Sequence, residues 1–385
     1  MVSRSRTGIV ASWWWTVDKV MLSLVVALML AGMVFSLTAS PSMAARLEYA
    51  EMHFVIRHAV FLAMALVGMI GVSLLPSRRA RQLAVLVLVG SFALMVVTLL
   101  VDDATKGAAR WIPLGPFKIQ PSEFMKPGLV VFCAWAFAED VRRRDVPGLW
   151  LACATWGVAI GLLMLQPDFG QSVLVTLVWG TLLFMAGIPM WFVGLGIGAA
   201  LLLGAGAYLA FGHVASRIDR FVFGEGDTFQ VDRAHDAITR GGWLGQGPGE
   251  GVVKHRLPDS HTDFIFSAMT EEFGILVALA LMALFAAVTL RGIWLAMREN
   301  EPFLRFAVTG LTMVFGLQAV INMGVNVQVF PAKGMTLPFI SYGGSSMLSM
   351  ALTMGLLLAF TRKRAANYAN VSRTNVPVTA LASAA

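Results

Sequence analysis

Pro258-Asp259-Ser260-His261-Thr262-Asp263-Phe264 leads into a run from Phe264 to Leu290 that has Glu271 and Glu272 as its only charges. A stretch of that kind exceeds the roughly 20 apolar residues that cross a bilayer core as a helix. Working outward, comparable runs lie near 17–39, 54–75, 82–101, 122–139, 148–165, 170–187, 190–211, 264–290, 303–325 and 344–361. Hydrophobic residues make up 57% of the 385-residue chain and charged residues 13%, with a mean hydropathy of +0.74. A soluble domain of this length needs more charge to cover its surface. The sequence therefore predicts one all-α polytopic integral membrane domain with about ten transmembrane helices, not two or three soluble domains.

Charge sets the expected orientation, because short Lys/Arg-rich loops stay in the cytoplasm. The basic clusters are Arg4 and Arg6; Arg78, Arg79 and Arg81; Arg142, Arg143 and Arg144; Arg291 and Arg298; and Arg362, Lys363 and Arg364. Ten crossings with both termini cytoplasmic put every cluster on one side. The same bias accounts for the net charge of +7, so a nucleic-acid partner is not called for. The expected division is a cytoplasmic segment 1–16, a membrane domain 17–361 with a large extracytoplasmic loop 212–263, and a disordered cytoplasmic tail 362–385.

Arg4 and Arg6, the first apolar run and Ser42-Met43-Ala44 look like a signal peptide with its cleavage site. The run is longer than a usual signal core, and we read it as an uncleaved first helix. Trp13, Trp14 and Trp15 stand where an interfacial aromatic anchor belongs. Cys133 and Cys153 fall inside spans and read as small apolar residues. The histidines lie at or beyond the outer face without HExxH or paired cysteines, so zinc is not expected.

The longer connections, 102–121, 212–263 and 326–343, share the outer side. Six glycines in 241–251 are not followed by the Lys-Ser/Thr of a nucleotide loop. They suit either a hinge or a loop that approaches a bulky substrate closely. Glu123 and Lys126 share a helix face, either as a structural ion pair or as the wall of a polar cavity. Asp168 is either the cap of the sixth span or a cavity residue, and Asp263 either caps the eighth or does chemistry. Glu271 and Glu272, being adjacent, cannot share one face, and no chemistry is assigned to them.

Arg110-Trp111-Ile112-Pro113-Leu114-Gly115, Gln120-Pro121-Ser122-Glu123, Gln166-Pro167-Asp168-Phe169-Gly170, His261-Thr262-Asp263-Phe264-Ile265-Phe266 and Ser341-Tyr342-Gly343-Gly344-Ser345-Ser346 occur in this order. Together they resemble the SEDS family of peptidoglycan polymerases over residues 17–361. Lys333-Gly334-Met335-Thr336-Leu337-Pro338 is similar to the family's cell-division branch. Asp259-Ser260, where many members have Glu-Ala, and Thr239-Arg240, where a small polar pair is usual, depart from the pattern.

The resemblance implies a glycosyltransferase that polymerises lipid II outside the cytoplasmic membrane. It implies a class B penicillin-binding protein as partner, among other division-complex proteins. Asp263 matches the essential acid; Glu123, Lys126 and Asp168 match polar cavity positions, and His261 belongs to the acid's motif. Inversion at the anomeric carbon needs one base and no carboxylate nucleophile. Arg110, Lys126 and Lys333, or a divalent cation such as Mg2+ or Mn2+, would meet the leaving pyrophosphate. No other cofactor is expected. A lipid II flippase and a non-enzymatic division scaffold are the competing readings.

The charge pattern requires 78–81, 142–144 and 291–298 inside and 212–263 outside. With an impermeant thiol reagent on intact spheroplasts, a cysteine at Asp227 should label and one at Ser77 should not. Labelling at Ser77 would reject this orientation.

Overall fold

The computed structural model describes residues 8–101, 110–114, 117–143, 145–187, 229–331 and 334–363, with isolated positions between 194 and 212. The seventh predicted span therefore lies mostly outside the described residues, as do both chain ends.

Helices α1 (Ile9–Thr16), α2 (Lys19–Arg46), α3 (His53–Ser73) and α4 (Ser77–Val101) open the chain. A short antiparallel hairpin of β1 (Ile112–Leu114) and β2 (Phe117–Ile119) follows, pairing Ile112 with Ile119 and Leu114 with Phe117. Next come α5 (Pro121–Arg142), α6 (Gly148–Leu165), α7 (Phe169–Met185), α8 (Phe229–Gly241), α9 (Ile265–Met297), α10 (Pro302–Asn326) and α11 (Gly344–Phe360). Six of them, α2, α3, α4, α6, α9 and α10, are long and apolar enough to cross a membrane, and α7 and α11 are shorter apolar helices. The hairpin and α8 were not expected from the sequence. α8 is amphipathic and rests Ala234, Ala237 and Gly241 on the bundle.

The bundle is built around α10. It is 72% buried over its most apolar stretch, against 22–39% for the other five long apolar helices. It packs on α9, α5, α7 and α11, while α3 lies along α11 and α4 along α5. Large side chains such as Phe137, Phe306, Phe315 and Phe360 fill the centre. Lipid-facing residues such as Leu86, Val89, Leu279 and Leu290 stay exposed, as expected where the surroundings are hydrocarbon.

The tryptophan cluster divides its roles. Trp13 is buried and donates from its indole nitrogen to Ser73 Oγ at 2.9 Å. Only Trp14 and Trp15 remain at the surface, with Lys19 Nζ 4.9 Å from each ring. The expected anchor is thus two tryptophans, not three.

α9 breaks at Gly274, whose φ of 81° and ψ of 173° suit glycine alone. A break inside a bundle exposes backbone groups that need partners, and the glycine-rich loop supplies them. Gln246 N and Gly247 N donate to the carbonyls of Glu271 and Glu272 at 2.9 and 3.0 Å. Ile275 N and Leu276 N donate in turn to the Gly242 and Trp243 carbonyls at 2.9 and 3.3 Å. Four backbone bonds to the loop thus span the break. Close approach explains Gly241 and Gly245, where a Cβ would sit 2.1 Å from the Thr270 and Glu272 carbonyl oxygens, while Gly242, Gly247 and Gly249 take the positive φ that glycine favours. The approach is to α9 itself.

Candidate active site

Sequence patterns separated by more than a hundred residues converge at one end of α10. Gln318, Asn322 and Asn326 recur every fourth residue and are buried. They make a polar stripe on an apolar helix. Each amide must find partners there, because an unpaired polar group in an apolar interior is costly.

The lower part of the stripe meets α5 and α7. Glu123 and Lys126 form the ion pair their spacing allows, at 2.9 Å, with both side chains almost wholly buried. Lys126 Nζ also donates to Gln318 Oε1 at 2.8 Å, and Gln171 Nε2 donates to Glu123 Oε1 at 2.6 Å. Gln318 passes the chain onward, donating to the Thr336 carbonyl at 3.0 Å. Asp168 caps α7 by accepting from Gln171 N at 3.3 Å, and Gln120 reaches its other oxygen at 3.4 Å. Burial pushes the Asp168 carboxyl above its ordinary value, against the pull of Arg110. Arg110 donates to the Gln166 carbonyl at 2.8 Å and to that of Pro167, fixing the turn before the cap.

The upper part holds the phrase that opened the sequence. Three successive carbonyls are gripped from outside it. That of His261 accepts from Tyr342 N at 2.9 Å, and that of Thr262 from Ser341 Oγ at 2.6 Å. That of Asp263 accepts from Asn322 and Asn326 Nδ2 at 2.9 and 3.0 Å. Asn322 also binds the Met335 carbonyl at 2.6 Å, and Asn326 Oδ1 accepts from Ser267 N and Oγ at 3.1 and 2.7 Å.

The Asp263 side chain is treated differently from its backbone. It does not cap α9, whose cap residue is Phe264 with no side-chain bond. It is half-buried, and a Cβ on Gly334 would lie 3.3 Å from its Oδ2, so that glycine keeps the space beside it open. Among the described residues no donor reaches the carboxylate. Burial, reinforced by Asp259, pushes it up to about 7. His261 makes no bond to Asp263. It lies between Phe54 and Tyr342, with centroids 4.9 and 5.5 Å away, and burial holds its imidazole down at about 4.

The structure thus gathers Arg110, Glu123, Lys126, Asp168, His261 and Asp263 around one network. Lys333 lies outside the described residues. Gln318, Asn322 and Asn326 were not picked out from the sequence, although their four-residue period was there to be read. Glu271 and Glu272 require a correction. Both are buried and both are engaged: Glu271 accepts backbone bonds from Val252, Val253 and Lys254 at 2.8, 2.7 and 2.8 Å, and Glu272 pairs with Lys254. Adjacent residues diverge around a helix, but the loop wraps far enough to meet both.

A family profile described as cell cycle protein, FtsW/RodA/SpoVE, matches residues 18–366. The chain belongs to this family. One relative, named probable peptidoglycan glycosyltransferase FtsW, from Caulobacter vibrioides, is 44% identical over 359 residues, covering 92% of each chain. Among solved structures, a chain from work on the coordination of polymerization and crosslinking by a peptidoglycan synthase complex matches with a TM-score of 0.75. It is 27% identical, over 90% of this chain and 98% of that one. The rod shape determining protein RodA of Thermus thermophilus gives a TM-score of 0.66 at 27% identity, over 90% and 97% of the two chains. The FtsW/RodA/SpoVE fold is therefore the frame in which the α10 network sits.

Removing one partner of a buried ion pair strands the other charge, typically at a cost of about 3–5 kcal/mol. Lys126→Met should accordingly lower the Tm of the detergent-purified protein sharply. Combining it with Glu123→Gln should restore most of the loss. Equal Tm values for the single variant and the parent would show that the pair carries no such burden.

Proposed function

We propose that this chain is a peptidoglycan glycosyltransferase of the cell-division branch, polymerising lipid II at the outer face of the bacterial cytoplasmic membrane. The observation that carries this reading is the Asp263 carboxylate: half-buried, without a donor among the described residues, and mounted on a backbone clamped at three successive carbonyls. The name of the Caulobacter relative supports the transferase class. Orientation follows from charge: ten crossings with both termini cytoplasmic place Asp263 outside.

The donor is a glycan strand joined through its anomeric carbon to undecaprenyl pyrophosphate, and the acceptor is the 4-hydroxyl of lipid II's GlcNAc. Asp263 takes the hydroxyl proton as the oxygen attacks the anomeric carbon. The bond from that carbon to pyrophosphate breaks, and the leaving group departs with the electron pair. One displacement inverts an α linkage to β and needs no second carboxylate. An aspartate near its ordinary pKa of about 3.9 is a poor base at neutrality; one raised to about 7 is matched to the task. The rigid backbone supplies orientation.

Arg110, at the turn beside Asp168, and Lys333 are the cations proposed to face pyrophosphate, with His261 and Asp168 along the substrate's path. Lys126 contributes its charge from behind, because Glu123 and Gln318 enclose its ammonium. Among the described residues no group of three or more metal ligands gathers. A Mg2+ or Mn2+ ion would be held by the substrate's phosphates, where it would screen their charge and leave the Asp263 carboxylate free to take the proton. The likeness to a chain of a peptidoglycan synthase complex supports a class B penicillin-binding protein as the partner that crosslinks the strands. A flippase is not favoured, because the buried network reaches less than two turns into α5.

Asp263→Asn keeps shape and loses the base. Since Asp263 does not cap α9 and its carboxylate is desolvated, the variant should be at least as stable as the parent at pH ~8, where the parent's side chain is ionised in both folded and unfolded states. Lipid II polymerisation by the purified protein with its penicillin-binding partner should fall about 10²–10⁴-fold, with lipid II binding retained. Parent-level polymerisation by folded Asp263→Asn would remove Asp263 from the chemistry.

A further inference from the structure

Asp263 sits at the start of a short helical piece, Ile265 to the break at Gly274. At its Asp263 end the piece is tied to α10 through Asn322 and Asn326. Its other end carries Glu271 and Glu272, whose carboxylates and carbonyls are bound by loop residues 246–254.

Lys254 is the centre of that attachment. Its side chain is buried, and its ammonium pairs with Glu272. The same ammonium donates to the carbonyls of Thr38 in α2 and Gly249 in the loop, each at 3.2 Å. Its backbone N–H is the third of those bound by Glu271. One residue therefore joins α2, the glycine loop and the broken end of α9. Further along the same loop, Arg46 of α2 reaches the Leu257 carbonyl at 3.4 Å, and Leu257 packs with Ala234, Phe264 and Val325. That cluster adjoins Asp263 in the chain. The connection from Lys254 to the carboxylate is thus short and packed on both sides.

We propose that Lys254, with Glu272, is a positioning pair for the transfer reaction: it locks the Ile265–Phe273 segment against α2 and so sets where Asp263 stands. The inference rests on the polymerase reading above. Because α9 is broken at Gly274, the segment is not held by a continuous helix and depends on its loop contacts for position. A shift of about 1 Å in a catalytic group can cost about 10²-fold in rate. The Lys254 ammonium is taken up by Glu272 and the Thr38 and Gly249 carbonyls and makes no bond to Asp263, so its loss acts through Asp263's placement.

The test uses the full chain with its partner. Lys254→Met combined with Glu272→Gln removes both charges, which avoids stranding either one. In the folded double variant kcat for lipid II polymerisation should fall at least about tenfold, with KM within about twofold. Should that variant fail to fold, Lys254→Arg takes its place. It keeps the charge but not the compact ammonium geometry, and a loss of kcat of about threefold or more at unchanged KM is expected. A parent kcat in the folded variant overturns the proposal, as does a loss confined to KM.

A second readout does not depend on activity. His255 and Glu51 line one cavity of about 430 Å3 together with Lys254. Spin labels on cysteines at His255 and Glu51, with Cys133 and Cys153 replaced by alanine, should give a narrow distance distribution. The double variant should broaden it. An unchanged distribution means that Lys254 is not a latch. An inactive parent chain with the expected broadening would instead count against the polymerase reading while leaving the latch in place.

Discussion

Three amide side chains on α10, Gln318, Asn322 and Asn326, have to satisfy their hydrogen bonds inside an apolar bundle. That requirement organises the rest. The donors and acceptors they find are Lys126, the Thr336 and Met335 carbonyls, the Asp263 carbonyl and Ser267. α5, the segment after α10 and the start of α9 are thereby fixed around one helix. Pairing of most of its members is what makes such a buried network favourable, although Asn322 Oδ1 and Gln171 Oε1 have no partner among the described residues. The backbone of His261-Thr262-Asp263 gains its rigidity from this network and from the Ser341-Tyr342 turn. The Asp263 carboxylate is left out of the pairing, which keeps it available for chemistry.

The break in α9 serves the same end. A continuous helix would spend the Glu271 and Glu272 carbonyls on Ile275 and Leu276. Gly274 redirects both bonds to the loop, and the two carboxylates grip residues 252–254 as well. The loop that leads to Asp263 is thus built into the helix that Asp263 precedes. Irregular backbone at such a depth is tolerated where protein supplies its partners.

Much of this was legible in the sequence. Apolar length alone placed the long helices, and a spacing of three put Glu123 on Lys126. The choice between capping and chemistry at Asp168 and Asp263 was not legible, because both precede apolar runs. Only the structure separates a carboxylate that reaches Gln171 N from one that reaches no donor among the described residues. Gln318, Asn322 and Asn326 were overlooked because single amides in a span carry little signal, although their period of four was a readable clue. Glu271 and Glu272 were assigned no chemistry because adjacent residues cannot share one helix face. The glycine loop meets both by wrapping the break.

The central claim is that a desolvated Asp263 is the base. Its direct measure is the pH dependence of kcat/KM for lipid II polymerisation, which reports the free enzyme's essential groups. The reactive form is the ionised one, so with Asp263 at about 7 the rate should fall progressively as pH drops through neutrality. A rate that stays level down to pH ~5, as an aspartate of ordinary pKa would give, would contradict the account.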